Sequence, residues 1–198
     1  MSPVARRILL IIGHPDGNAR HLCHALADAY AEGAREAGHE VRSVDVARLD
    51  FPVLRSPQDW QQGAVPASLT AVQTDLTWAE HVVLFFPLWL GDMPALLKAF
   101  LEQVARPGFA VPRPGSPAPT AKLLAGRSAR VVVTMGMPAL VYRWYFRAHS
   151  VKALERNVLG FVGFAPVHET LVGSVEQLGA SGVATWLARL RKAGRRAE

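Results

Sequence analysis

Apolar and polar positions along the chain fall into two alternating rhythms. Arg7–Ile12 is an unbroken aliphatic run, the signature of a strand buried on both faces. His21–Ala37 places Leu22, Ala25, Leu26, Ala29, Tyr30 and Gly33 at helical spacing, and Gly38 reads as its stop signal. Glu40–Val46 predicts a second strand, Ala67–Ala79 a helix, and His81–Phe86 a third strand that Pro87 ends. Pro94–Ala105 predicts a helix opened by proline at its first turn. Arg130–Thr134 predicts a fourth strand, Val141–Leu159 a largely helical stretch, Phe161–Val172 a segment holding a fifth strand, and Leu178–Arg191 a final amphipathic helix. Strands alternating with helices predict one doubly wound α/β domain with a parallel sheet covered on both faces. Two stretches break the rhythm. Arg48–Pro66 and Pro107–Pro119 are rich in proline and read as surface loops near one end of the sheet rather than as linkers. No internal repeat is visible.

Composition narrows the class. At 198 residues with 50% hydrophobic and 19% charged positions, the chain carries enough apolar material for one full core. Charged residues or histidine interrupt every apolar run before it reaches membrane-spanning length. The start, Met1 to Arg7, leads straight into a strand-like stretch without a small-residue cleavage site, which argues against a signal peptide. A single cysteine excludes an internal disulfide and a cysteine-built zinc site, and suits a reducing cytoplasm. The net charge of +6 is dispersed apart from a C-terminal group, Arg189, Arg191, Lys192, Arg195 and Arg196. No exposed aromatics interleave with it, so it reads as a solvated tail and a preference for small anions, not as a nucleic-acid surface.

Ligands of open α/β sheets bind beyond the carboxyl ends of the strands, which singles out three loops. The first runs from Gly13 through His14, Asn18, Arg20 and His21 to Leu22 and Cys23 at a helix start. Free amides and the positive end of a helix dipole suit phosphate there, although an ordinary capped loop has the same look. It is neither a dinucleotide fingerprint nor a P-loop. The second loop, Pro87, Leu88, Trp89, Leu90 and Gly91 to Pro94, is stiff and aromatic. Its amides could meet a flavin edge, or Trp89 could plug a hydrophobic surface. The third, Thr134, Met135 and Gly136, leads to Tyr142, Trp144, Tyr145, Phe146 and His149, a pocket wall or else core and interface. His21 and His24 lack further ligands for a metal site, His39, His81 and His168 read as strand-edge or turn residues, and Cys23 as a packed thiol. No G-x-S-x-G elbow occurs.

With these loops in view, the chain resembles the flavodoxin-like NAD(P)H:quinone oxidoreductases, the DT-diaphorase family and its bacterial relatives, from about Arg7 to Gly173. The segments that carry the likeness are Phe86-Pro87-Leu88-Trp89, Pro94-Ala95-Leu96-Leu97-Lys98 and Gly108-Phe109-Ala110, together with His14-Pro15 and Gly38-His39-Glu40-Val41. The resemblance implies a flavodoxin-like five-stranded parallel sheet of order 2-1-3-4-5. It implies a homodimer with noncovalent FMN or FAD at the interface, and a ping-pong cycle from NAD(P)H to a quinone or a related acceptor. Carried over, His14 and His21 to Cys23 would meet the flavin phosphate or ribityl chain. Pro87 to Leu90 would lie along the ring, Thr134 to Gly136 would approach its pyrimidine side, and Tyr142 with His149 would form the catalytic pair. The chain departs from the family at His21, where a serine is usual, and at Met137, where a second glycine is usual. His149 also lies one residue off the usual spacing from Tyr142. Two other classes compete: an electron-carrying flavodoxin, against which the positive charge and inserted loops speak, and a regulatory subunit such as those ancillary to potassium efflux systems, which the basic tail would serve.

Overall fold

The computed structural model describes residues 4–198; Met1–Pro3, with which the stretch read against a signal peptide begins, lie outside the described residues. Five strands, β1 (Arg7–Ile12), β2 (Glu40–Asp45), β3 (His81–Pro87), β4 (Ser128–Thr134) and β5 (Val167–Val172), form one parallel sheet in the order β2-β1-β3-β4-β5. Every residue of β3 is buried, as its unbroken apolar run requires at the centre of a sheet covered twice. On one face, Ile8, Leu10, Val83, Phe85 and Val132 pack under α1 (Leu22–Glu36) and α8 (Gly179–Arg196). On the other, Leu9, Ile11, Leu84, Val131 and Val133 pack under α3 (Ala67–Trp78) and α4 (Ala95–Val104), together with Tyr142, Val151 and Leu154 further along the chain.

The two outer helices α1 and α8 touch through glycine. A Cβ on Gly33 would lie 1.9 Å from the carbonyl oxygen of Arg191, and one on Gly194 would lie 2.1 Å from that of Tyr30. Backbone therefore meets backbone where these helices cross. The basic C-terminal group, though exposed, lies on the helix α8 and in part joins this contact: Arg195 donates to Glu36 at 2.8 Å, and Arg191 pairs with the same carboxylate. Both guanidinium groups hold the Glu36 carboxyl well below its usual range.

Two further expectations change. The Arg48–Pro66 stretch contains a helix, α2 (Pro57–Gln62), capped by Ser56 Oγ accepting from the Asp59 amide at 3.0 Å. The two proline-rich stretches lie against each other. After α4 has run back along the strands, Arg106 donates to the carbonyls of Asp59 (2.8 Å) and Gly63 (2.6 Å), so each braces the other. The predicted helix over Val141–Leu159 is broken. After α5 (Ala139–Trp144), Arg147 and Ala148 take left-handed backbone angles, and the chain resumes as α6 (His149–Ala153), a π-helical turn over Leu154–Leu159 and α7 (Gly160–Val162).

The histidines read as edge or turn residues also divide. His168 is exposed on edge strand β5. His39 is buried, accepting from the Arg6 amide (3.0 Å) and meeting the Arg195 carbonyl (3.3 Å). His81 opens the central strand with no exposed surface; burial pushes its pKa down to about 3, and Ser128 Oγ meets its Nδ1 at 2.8 Å.

Candidate functional site

The carboxyl ends of β1, β3 and β4 bring the three loops together. In the first loop, His14 is nine-tenths buried, and its ring stacks on that of His21 with centroids 3.7 Å apart and planes 14° from parallel. The Asp16 amide donates to His14 Nδ1 (3.2 Å), while Asp16 Oδ2 meets His21 Nε2 (2.8 Å) and Oδ1 accepts from the Asn18 amide (2.8 Å). These bonds to Asn18 and His21 hold the Asp16 carboxyl below its usual range. His14 is shifted down, first by burial and then by the neighbouring His21 and His24. At the helix start, the His21 amide donates to His24 Nδ1 (3.1 Å), and His24 Nε2 lies 3.8 Å from the Asp45 carboxylate at the end of β2.

Around this cluster the backbone is left with donors to spare. Among the described residues, no acceptor meets the amides of Gly17, Ala19, Arg20 or Leu22, and no acidic residue occupies the first turn of α1. A 15-residue helix opening on free amides and imidazoles fits an anionic oxygen cluster. Of the remaining residues expected here, Leu22 is half-buried and Arg20 is exposed and paired with Asp28. Gly17, Asn18, Ala19, Arg20 and His24 also border a cleft of about 600 Å³ that reaches Asp45, Arg48 and Asp75 beside β2.

The second loop follows β3 directly. Leu88 N–H is committed to the Thr134 carbonyl (2.7 Å), and Trp89 and Asp92 exchange amide bonds at 2.8 and 2.9 Å across a tight turn. Pro87 has no N–H to give, so Leu90 and Gly91 carry the amides that no acceptor meets among the described residues. Both have positive φ, 47° and 79°. For Leu90, a fully exposed leucine, that conformation is strained, and such strain gathers at ligand-contacting turns. Trp89 stands half-exposed, its ring edge-on to His14 at 6.0 Å. The start of α1 and the aromatic loop are therefore neighbours.

The third loop ties into the first. Cys23 Sγ lies 3.2 Å from Thr134 Oγ1, and burial pushes the thiol up to about 11, the state of a packed cysteine rather than a nucleophile. Met135 points into the core and Met137 packs against it half-buried, leaving Gly136 exposed at the loop surface. Thr134 and Met135 thus shape this edge from beneath.

Tyr142 requires a correction. It is buried, and its hydroxyl is taken up by Ser150 Oγ (2.6 Å) and the Val151 amide (3.3 Å). With the Ala148 amide on the Tyr142 carbonyl at 3.0 Å, this clasp holds the break between α5 and α6. The ring is a tether within the chain, and His149 alone of the expected pair is exposed. Sequence reasoning missed Asp16, His24 and Asp45 as parts of the cluster. His24 had a readable signal: it stands three residues after the capping position His21, where a side chain can reach back to the cap amide. Among the described residues no group of side chains is arranged to hold a metal ion.

The family model for the flavodoxin-like fold matches residues 6–193. The chain belongs to that family. Among curated proteins, this flavodoxin-like chain is 30% identical over 122 residues to a ribosyldihydronicotinamide dehydrogenase-like protein, traD, of Penicillium crustosum, covering 52% of this chain and 45% of that protein. It is 27% identical over 188 residues to an FMN-dependent NADH:quinone oxidoreductase of Nitratidesulfovibrio vulgaris, covering 83% of this chain and 85% of the relative. Among solved structures, an NAD(P)H:quinone oxidoreductase from Methanothermobacter marburgensis shares its fold with a TM-score of 0.79 at 22% identity, covering 97% and 96% of the two chains. The chain thus spans under half of the first relative's length and most of the second's.

Proposed function

We propose that this protein is a flavin-dependent NAD(P)H:quinone oxidoreductase using FMN, with FAD as the alternative cofactor and a quinone or similar acceptor as the second substrate. The observation that carries the reading is the adjacency of two features: an anion cradle at the start of α1 and, 6.0 Å away through His14 and Trp89, a stiff aromatic loop with two free amides. That is the layout a phosphate-bearing flat heterocycle needs. The names of the relatives, FMN-dependent NADH:quinone oxidoreductase among them, support it.

Bound flavin would supply the two-electron chemistry between nicotinamide and quinone. The chain's own part is to bind and to orient. The free amides of Gly17, Ala19, Arg20 and Leu22, the dipole of α1 and the His14–His21 pair would hold the phosphate. Trp89 would lie along the ring. The amides of Leu90 and Gly91, fixed by the turn closed between Trp89 and Asp92, would donate to ring atoms that gain electron density on reduction, a contact that favours the reduced form.

We also propose that the protein works as a homodimer. Leu140, Trp144, Tyr145 and Phe161 are exposed at 70%, 77%, 80% and 62%, an apolar surface that water alone would cover at a cost. Charge placed on it, as in Trp144→Asp, is expected to convert a dimer into a monomer in sedimentation velocity; a wild-type protein that sediments as a monomer contradicts the assignment. The regulatory-subunit alternative finds less support, since Arg191 and Arg195, two of the five C-terminal cations, are engaged by Glu36 within the chain.

Steady-state turnover tests the enzymatic reading. Protein reconstituted with FMN, and separately with FAD, is expected to reduce a benzoquinone with NADH or NADPH in a ping-pong pattern. Protein that holds flavin yet gives no turnover with either nucleotide refutes it.

A further inference from the structure

Resting on the flavin reading above, we propose that His21 makes this cradle selective for a phosphorylated flavin by drawing a proton into the stacked His14–His21 pair as the phosphate binds.

The argument starts from charge and distance. Two imidazoles 3.7 Å apart and nearly parallel resist a second positive charge. The groups that face them are few and can be named. Within the loop, Asp16 supplies one carboxylate, bonded to His21 at 2.8 Å and also to the Asn18 amide. From α1, His24 stands 6.0 Å from the His21 ring and 5.8 Å from the His14 ring, and Arg20 is already paired with Asp28. From the end of β2, Asp45 faces His24 and is shared with Arg48 at 3.1 Å. From the second loop comes the uncharged edge of Trp89, and from α1 and β4 the neutral contact of Cys23 with Thr134. One negative charge, that of Asp16, therefore balances the stacked pair in the protein alone.

A phosphate monoester brings nearly two further negative charges at neutral pH. Imidazole ordinarily titrates close to neutrality, so an added anion is enough to recruit a proton to it. His14 is the place where the anion is felt. Its ring is nine-tenths buried, its Nδ1 accepts from the Asp16 amide, and no protein group meets its Nε2 among the described residues. The downward shift of His14, caused by burial and by the two neighbouring histidines, agrees with a ring that refuses its proton until a counter-charge arrives. A serine in place of His21 would offer a hydroxyl to the phosphate but would remove a neighbouring ring that keeps His14 from holding its proton before the anion arrives.

Calorimetry of flavin binding to flavin-stripped protein, at pH 7 in two buffers of different ionisation enthalpy, reads the proton directly. FMN is expected to bind with uptake of about one proton per site, and riboflavin, which lacks phosphate, with none. His21→Ser puts a good helix cap at the same position, so the fold is preserved. It is expected to bind FMN with less than half of that uptake. The apparent Kd of wild-type protein for FMN is expected to weaken by up to about tenfold per pH unit above neutrality, with riboflavin nearly flat. FMN binding without proton uptake, or uptake undiminished in His21→Ser (the phosphate itself then being the group that titrates), would overturn this proposal alone. Absence of binding by FMN, FAD and riboflavin would remove the flavin reading and this proposal with it.

Discussion

The hydroxyl of Tyr142 has two partners inside the chain, Ser150 and the Val151 amide, and none of them is a ligand. A phenol used in this way stabilises a chain break by about 1 kcal/mol, the usual net worth of a buried hydrogen bond. Tyr142→Phe is expected to lower unfolding free energy by about that amount in urea titration and to leave kcat for quinone within about twofold. A loss of kcat of a hundredfold with unchanged stability would return Tyr142 to the chemistry. Residues of this kind mark the limit of a pattern-based reading. The family resemblance pairs Tyr142 with His149, but whether the hydroxyl faces a ligand or a neighbouring turn is decided by the backbone between them. By contrast, His14 and His21 could be placed from sequence on the loop between β1 and α1, because an aliphatic run followed by a helix start is legible there. Their stacking, and the carboxylate of Asp16 between loop and helix, depended on loop geometry that no spacing rule supplies.

Elements were legible where burial alone dictates them. β1, β3 and β4 are aliphatic runs with a helix on each side, and the runs themselves name the strands. The helix α2 was hidden by its prolines, although Ser56, Pro57 and Asp59 spell a cap, a first-turn proline and an acidic first turn. The break after α5 was hidden because nothing in Trp144, Tyr145 and Phe146 forbids a helix; the clasp on Tyr142 and the left-handed pair Arg147 and Ala148 impose it. The α1–α8 contact was also unread, since helical glycines ordinarily only weaken a helix. Here they allow backbones to touch. Gly194→Ala would place a methyl group 2.1 Å from the Tyr30 carbonyl oxygen and must push the two helices apart. The expected cost is about 2 kcal/mol or more, a fall of several degrees in Tm. An unchanged Tm would mean that the crossing is looser than described.

At the scale of the whole molecule, the sheet order β2-β1-β3-β4-β5 brings the ends of β1, β3 and β4 side by side, so three loops far apart in sequence share one rim. Two of them supply donors, the amides at the start of α1 and those of Leu90 and Gly91, and the third buttresses them through Thr134 and Cys23. The net charge of +6 fits an anionic cofactor, and two of its five C-terminal cations, Arg191 and Arg195, are engaged with Glu36. No helix among the described residues is long and apolar enough to cross a membrane. This rim is proposed to hold a flavin that nicotinamide can reduce. The most direct test is the visible absorption spectrum of FMN-reconstituted protein, freed of unbound flavin and recorded before and after anaerobic addition of NADPH or NADH. Flavin bands that stay with the protein and bleach on addition of nucleotide are the result expected. Protein that emerges colourless after incubation with FMN and with FAD, or that keeps its bands unbleached with both nucleotides, would contradict the account.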